Sequence, residues 1–119
     1  MPRVEGEGKL VRLFVGESDL WQGKPLYQAI VRRVREEGLA GATVLRGIEG
    51  FGASSHLHTS RLLELSRDLP IVIEIVDTEE KIDAILPTLD EMVGDGLVTV
   101  ERVHVIAYRG SPRGDLAED

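Results

Sequence analysis

Two short glycine brackets, Gly50-Phe51-Gly52 and Gly94-Asp95-Gly96, are the positions of this chain best suited to meeting a ligand. Backbone without Cβ can approach a phosphate closely and aim successive N–H groups at it. Taken singly, each bracket also reads as a tight turn or a helix end, since glycine after a helix commonly supplies only the cap. The pair, separated by a long polar segment, points towards a binding loop. His56 and His58 form a His-x-His pair in that segment. Two imidazoles alone make a weak divalent-metal site, and solvation of the loop is the plainer reading. Ser54 and Ser55 share the same stretch, but nothing around them would hold a serine against a base, so no catalytic nucleophile is expected and the chain does not read as an enzyme. His104 falls on the last predicted strand, where it reads as an interface or packed residue. Asp77, Glu79, Glu80, Asp83, Asp90 and Glu91 are spread around one predicted helix, as a solvated face with an acidic start.

The elements that must position these residues follow from periodicity. Residues 9–15 are short, apolar and rich in Val, Leu and Phe, which predicts a strand; residues 16–24 read as a polar loop. Pro25 suits the first position of a helix whose Leu26, Ala29, Ile30 and Val34 recur at helical spacing until Gly38. Residues 42–48 form the second strand and residues 71–76 the third. Asp77, with Glu80 three residues on, resembles a capping box opening a second helix. The buried face of that helix is Ile82, Ile85, Leu86, Leu89, Met92 and Val93, and Pro87 inside it predicts a kink. Gly94 ends the helix, and residues 97–108 supply a long final strand.

Strand-helix-strand twice over folds most simply as an α+β, ferredoxin-like βαββαβ sandwich: a four-stranded antiparallel sheet with both helices on one face. Alternation then turns Ile71, Ile73, Ile75, Val11, Leu13 and Val15 towards the helices. Val72, Glu74, Val76, Leu10, Arg12 and Phe14 are left on the bare face. An apolar surface holding Leu10, Phe14, Val72 and Val76 is larger than a monomer ordinarily exposes, which predicts an oligomer. Arg12 and Glu74 would be neighbours there, either paired with each other or each meeting solvent.

At 119 residues, the chain is expected to be one domain over residues 9–110, with a flexible segment 1–8 and a disordered tail 111–119. A net charge of −7 and a pI near 5.0 argue against nucleic acid as a principal partner. Arg32, Arg33 and Arg35 are followed at once by Glu36 and Glu37 and read as a solvated helix face. The chain has no cysteine, hence no disulfide and no thiolate chemistry. Residues 1–8 lack the apolar core of a signal peptide and no stretch approaches ~20 apolar residues, so a cytoplasmic protein without membrane insertion is expected. Residues 49–69 are too many for a hairpin turn, and connections of that length are usually functional or disordered. Residues 53–60 are small and polar, so mobility is expected there. Leu62, Leu63 and Leu65 either extend the third strand as a hairpin arm or form an apolar docking surface for a partner.

As a whole, the chain resembles the PII signalling superfamily, and within it the PII-like proteins of the domain of unknown function 190 family. The resemblance is carried by Gly38-Leu39-Ala40-Gly41-Ala42-Thr43-Val44, Gly47-Ile48-Glu49-Gly50-Phe51-Gly52, the run from Asp68-Leu69-Pro70 to Val76-Asp77, and Gly94-Asp95-Gly96-Leu97-Val98. It implies a ferredoxin-like protomer, a homotrimer, and a mobile loop after the second strand that contacts partner proteins, often a transporter or channel. It also implies an adenine nucleotide between protomers, held by Gly50, Phe51 and Gly52 from one side and Gly94, Asp95 and Gly96 from the other. Thr43, Glu74 and Val76 stand where the superfamily has its adenine-side contacts. The departures lie on the phosphate side: Leu97 stands where a lysine is usual, and Tyr108 and Gly110 replace two arginines, leaving Arg109 between them. Each lost cation removes a charge-assisted hydrogen bond of roughly 1.5–3 kcal/mol, which disfavours ATP relative to AMP, ADP or a cyclic nucleotide. The loop has no tyrosine between Phe51 and Pro70, so uridylylation as in some PII proteins has no acceptor. The alternative is a trimeric divalent-metal-binding protein like the related copper-tolerance fold, using His56 and His58.

Overall fold

The computed structural model describes residues 5–51, 58–59 and 69–110. The elements are β1 (Gly6–Gly16), β2 (Leu20–Trp21), β3 (Lys24–Pro25), α1 (Leu26–Glu36), β4 (Thr43–Arg46), β5 (Glu49–Gly50), β6 (His58–Thr59), β7 (Pro70–Asp77), α2 (Glu79–Met92) and β8 (Leu97–Val105). Four of the strands form an antiparallel sheet in the order β4-β7-β1-β8, and both helices pack on one face of it. This is the expected ferredoxin-like plan.

The alternation expected from sequence decides which face is which. Val11, Leu13 and Val15 of β1 and Ile71, Ile73 and Ile75 of β7 are buried against Leu26, Ile30 and Val34 of α1 and Ile82, Ile85 and Leu89 of α2. Burying a side chain of this size contributes roughly 1.5–3 kcal/mol, so the central strands fix the register of the whole sheet. The opposite face carries no helix, but it is not as bare as expected: Leu10, read from sequence as part of its apolar surface, is only 9% exposed. The rows of this face follow from the pairing: Leu45, Val72, Phe14 and Leu97 lie side by side in one, and Thr43, Glu74, Arg12 and Thr99 in the next. Leu45 and Leu97, at the ends of the apolar row, are 49% and 53% exposed.

Several boundaries differ from those expected. β1 begins at Gly6, so part of the segment assigned to a flexible terminus is strand. Residues 20–24, expected as loop, form with Pro25 the β2–β3 hairpin; Gln22 and Gly23 at its tip have φ of 50° and 81°, the two positive values of a type I′ turn. Pro25 is the residue before α1 rather than its first. α1 ends in a Schellman motif, with Gly38 at φ 84° and Leu39 N–H donating to Val34 O at 3.2 Å. β4 stops at Arg46, and β8 stops at Val105 instead of reaching Tyr108. α2 runs through Pro87 as one helix, and Pro87 is exposed. Its N-cap is Thr78, whose Oγ1 accepts from Lys81 N–H at 3.3 Å; Asp77, read from sequence as the cap, is buried and does other work. Among the described residues, no helix is long and apolar enough to cross a membrane. Gly52, Ser54, Ser55, His56, Leu62, Leu63, Leu65 and the tail 111–119 lie outside the described residues.

Candidate functional site

Three residues expected on the adenine side converge. Thr43 opens β4 directly opposite Glu74 of β7, and Val76 follows on the same open face. Beyond β8 the chain turns back across the sheet, and Tyr108 Oη donates to Ala40 O at 2.8 Å. Between the two walls lies a cleft of about 440 Å³, with Thr43, Glu74 and Val76 on one side and Val105, Ala107 and Tyr108 on the other. The run Ala40-Gly41-Ala42 lines its end. Small side chains there leave the volume open, and even a Cβ built on Gly41 would come no nearer than 3.7 Å to Tyr108 Oη.

Asp77 holds that end in place. It is 1% exposed, and its two oxygens accept Ala40 N–H at 2.8 Å and Thr78 N–H at 2.7 Å. One buried carboxylate therefore ties the α1–β4 connection to the start of α2 and satisfies two backbone donors. Sequence reasoning assigned Asp77 to helix capping. The signal that could have corrected it is position: Asp77 continues the inward series Ile71, Ile73, Ile75, where an acid requires a partner.

The charge pattern disfavours phosphate inside the cleft. Arg12 Nε donates to Glu74 Oε2 at 2.9 Å, and its Nη1 lies 3.8 Å from Glu101 Oε1. The hydrogen bond to Glu74 leads in holding the Arg12 guanidinium pKa above its ordinary value, against some desolvation. Arg12 thus serves two carboxylates, and none of the residues lining the cleft is a lysine or arginine. Arg109, next to Tyr108, is exposed at the margin. Such a cleft suits the neutral part of a ligand, with Thr43 and Glu74 as its polar contacts.

The glycine brackets lie elsewhere in the chain. Gly50 belongs to β5 and pairs with His58 of β6, and Phe51 beside it is 75% exposed. A Cβ on Gly50 would stand 3.1 Å from Pro70 Cγ. Gly94, Asp95 and Gly96 form the exposed turn from α2 to β8. At Gly96 a Cβ would lie 2.6 Å from Phe14 O and 2.9 Å from Val93 Cγ1, so this glycine is required by close packing on β1. Gly50 and Phe51 of the first bracket, and the second bracket, sit at the end of the sheet where β1 and β4 finish and β7 and β8 begin, beside opposite outer strands. Three strand spacings put those outer strands roughly 14 Å apart. A single chain therefore brings together Thr43, Glu74 and Val76, with Arg109 near, but not the two brackets.

His104 is exposed, with Nδ1 3.0 Å from Glu7 Oε2. The helix carboxylates are not uniformly solvated: Lys9 Nζ lies 2.8 Å from Asp83 Oδ1 and 3.5 Å from Glu79 Oε2. Among the described residues, no group of three His, Asp or Glu side chains is placed to hold a metal ion.

The fold is that of a PII-like, ferredoxin-like protein. Comparison with known proteins agrees. The solved structure of CPII, a nitrogen regulatory PII-like protein from Thiomonas intermedia K12 bound to ADP, AMP and bicarbonate, superposes with a TM-score of 0.63 at 17% identity, covering 83% of this chain and 88% of that one. A putative PII-like signalling protein from Thermus thermophilus gives 0.62 at 24% identity over 98% of both chains. At the level of sequence, residues 8–105 match the model of the DUF190 family, described as Uncharacterized ACR, and the chain belongs to that family. A UPF0166 protein of Aquifex aeolicus (strain VF5) is 43% identical over 82% of this chain and 92% of its own length. A second UPF0166 protein, from Methanocaldococcus jannaschii, is 35% identical over 87% and 94%.

Proposed function

We propose that this chain is a PII-like regulatory protein that binds an adenine nucleotide and acts on a partner protein through the segment 49–69. The observation that carries the reading is the convergence of Thr43, Glu74 and Val76, expected on the adenine side, in one cleft closed by Tyr108. The base and ribose occupy that cleft. The phosphate extends out of it towards the Gly50-Phe51-Gly52 and Gly94-Asp95-Gly96 backbones of adjoining chains, with Arg109 as the near cation.

The assembly is a homotrimer closed through the open sheet face, because one chain keeps its two brackets beside opposite outer strands. That face carries the exposed apolar row ending in Leu45 and Leu97, which association would remove from water. The CPII structure, bound to ADP and AMP, supports the ligand class. The scarcity of cations favours AMP, ADP or a cyclic nucleotide over ATP. The protein works in the cytoplasm as a sensor rather than a catalyst, and a transporter is one candidate for the protein it regulates.

Calorimetry with AMP, ADP, ATP and cyclic AMP tests the ligand. Saturable heat with AMP or ADP exceeding that with ATP is expected; absence of heat with all four would remove the proposal's basis.

A further inference from the structure

A second hollow, unconnected with the nucleotide reading, lies on the helix-covered side of the molecule. The β2–β3 hairpin stands against α1 and leaves a half-open hollow of about 190 Å³ between Trp21, Lys24, Ala29, Arg32, Arg33 and Met92. Its charges are the unusual part. Elsewhere among the described residues Lys9, Arg12, Arg46 and Arg102 each lie within 2.8–3.2 Å of a carboxylate oxygen and Lys81 donates to Gly38 O at 3.0 Å, while Arg35 and Arg109 are exposed and stand apart from one another in the chain. Around the hollow, Arg33 reaches only Glu36, at 4.0 Å, and Lys24 and Arg32 have no hydrogen-bond or ion-pair partner among the described residues. Three cations against one acid make a positive island on a chain of net charge −7.

The walls are built to stay in place. Trp21, the only tryptophan, pairs with Lys24 across the two-residue turn whose Gln22 and Gly23 hold positive φ, and Trp21 packs against the main core. Met92, itself buried, provides an apolar floor. A cavity of about 150 Å³ accepts one benzene, so this volume takes one leucine- or phenylalanine-sized group and not a nucleotide. Tryptophan and arginine are among the residue types enriched where binding energy concentrates at protein interfaces, and here they stand beside a polar rim completed by Gln22, Gln28 and Glu36. The overall negative charge disfavours a long polyanion such as nucleic acid, while three cations match a short run of carboxylates.

We infer that this hollow is a docking site for an acidic segment of a partner protein, with one apolar side chain between Trp21 and Met92 and flanking carboxylates on Lys24, Arg32 and Arg33. The site faces away from the open sheet surface, so it stays accessible whatever that surface does. Trp21 reports on it directly.

The test follows Trp21 fluorescence while adding a five-residue peptide of central leucine flanked by glutamates, the same peptide with lysine for every glutamate, or inorganic phosphate. A saturable change with the acidic peptide alone is expected, weakened by added salt. The double variant Lys24→Glu, Arg32→Glu, both positions exposed, should weaken it about tenfold or more while leaving the circular dichroism spectrum unchanged. No response to the acidic peptide, an equal response to the basic peptide or to phosphate, or unaltered binding in the double variant would each overturn the inference.

Discussion

The carboxylate of Asp77 accepts the backbone N–H of Ala40 across a sequence separation of 37 residues, and so fixes one end of the cleft from inside the core. Replacing Asp77 with alanine leaves the Ala40 and Thr78 amides without that acceptor. A buried donor left unsatisfied costs about 1–3 kcal/mol, so Asp77→Ala should lower the unfolding free energy by roughly 2–4 kcal/mol in urea denaturation. Asp77→Asn keeps one acceptor oxygen and should lose less. Equal stability of Asp77→Ala and the wild type would contradict the role given to this pair.

Gly94 and Gly96 belong to one motif but face different constraints. A Cβ at Gly94 meets nothing within 4 Å, whereas at Gly96 it meets Phe14 O, a backbone atom that cannot rotate away. Gly96→Ala should destabilise by about 1–3 kcal/mol, as overpacking does. Gly94→Ala should stay within about 0.5 kcal/mol of wild type. Thermal unfolding of both variants separates the packing glycine from the one left free to meet a phosphate.

Much of this was legible in the chain. The alternation of Val11, Leu13 and Val15 against Ile71, Ile73 and Ile75 specified the buried face, and the same alternation placed Arg12 beside Glu74, where the ion pair indeed forms. What was hidden depended on tertiary position. Asp77 looks like a helix cap in one dimension and becomes a buried tether only because the inward series of β7 reaches it. The β2–β3 hairpin escaped notice because each strand has two residues and the turn uses Gln22 at positive φ, a conformation its side chain does not advertise. Tyr108 stood out only as the residue in an arginine's place. Its bond to Ala40 needs the chain to cross back over the sheet after β8, which no local pattern encodes.

Lys9 offers a pH signature. Its hydrogen bond to Asp83 leads in raising the ammonium pKa above the ordinary 10.5, with Glu79 adding to it and desolvation opposing. A folded-state pKa above the unfolded value gives stability that is fully present below the unfolded pKa and lost as pH rises through the folded one. The stability difference between wild type and Lys9→Met should therefore be constant through neutral pH and narrow above about pH 10.5. A difference that persists unchanged at higher pH would assign the contribution to packing of the lysine stem.

Arg12 lies at the middle of the proposed trimer face, between Glu74 and Glu101. Arg12→Glu would cluster three carboxylates there, and like charges brought together at an interface oppose its closure. Sedimentation should report about 39 kDa for the wild type, three times the 13.1 kDa of one chain, and one-chain particles for the variant. Single chains in the wild type at micromolar concentration would refute the assembly.

In the proposed complex the cleft bounded by Thr43, Glu74, Val76 and Tyr108 holds the adenine end of a nucleotide. The most direct measurement is a calorimetric titration of AMP into the wild type and into Ala107→Trp, where an indole at an exposed position of the cleft wall fills the space without touching the core. Saturable binding to the wild type, weakened tenfold or more in the variant at unchanged thermal stability, is the predicted result. Binding of equal strength to both proteins would place the nucleotide elsewhere and contradict the account.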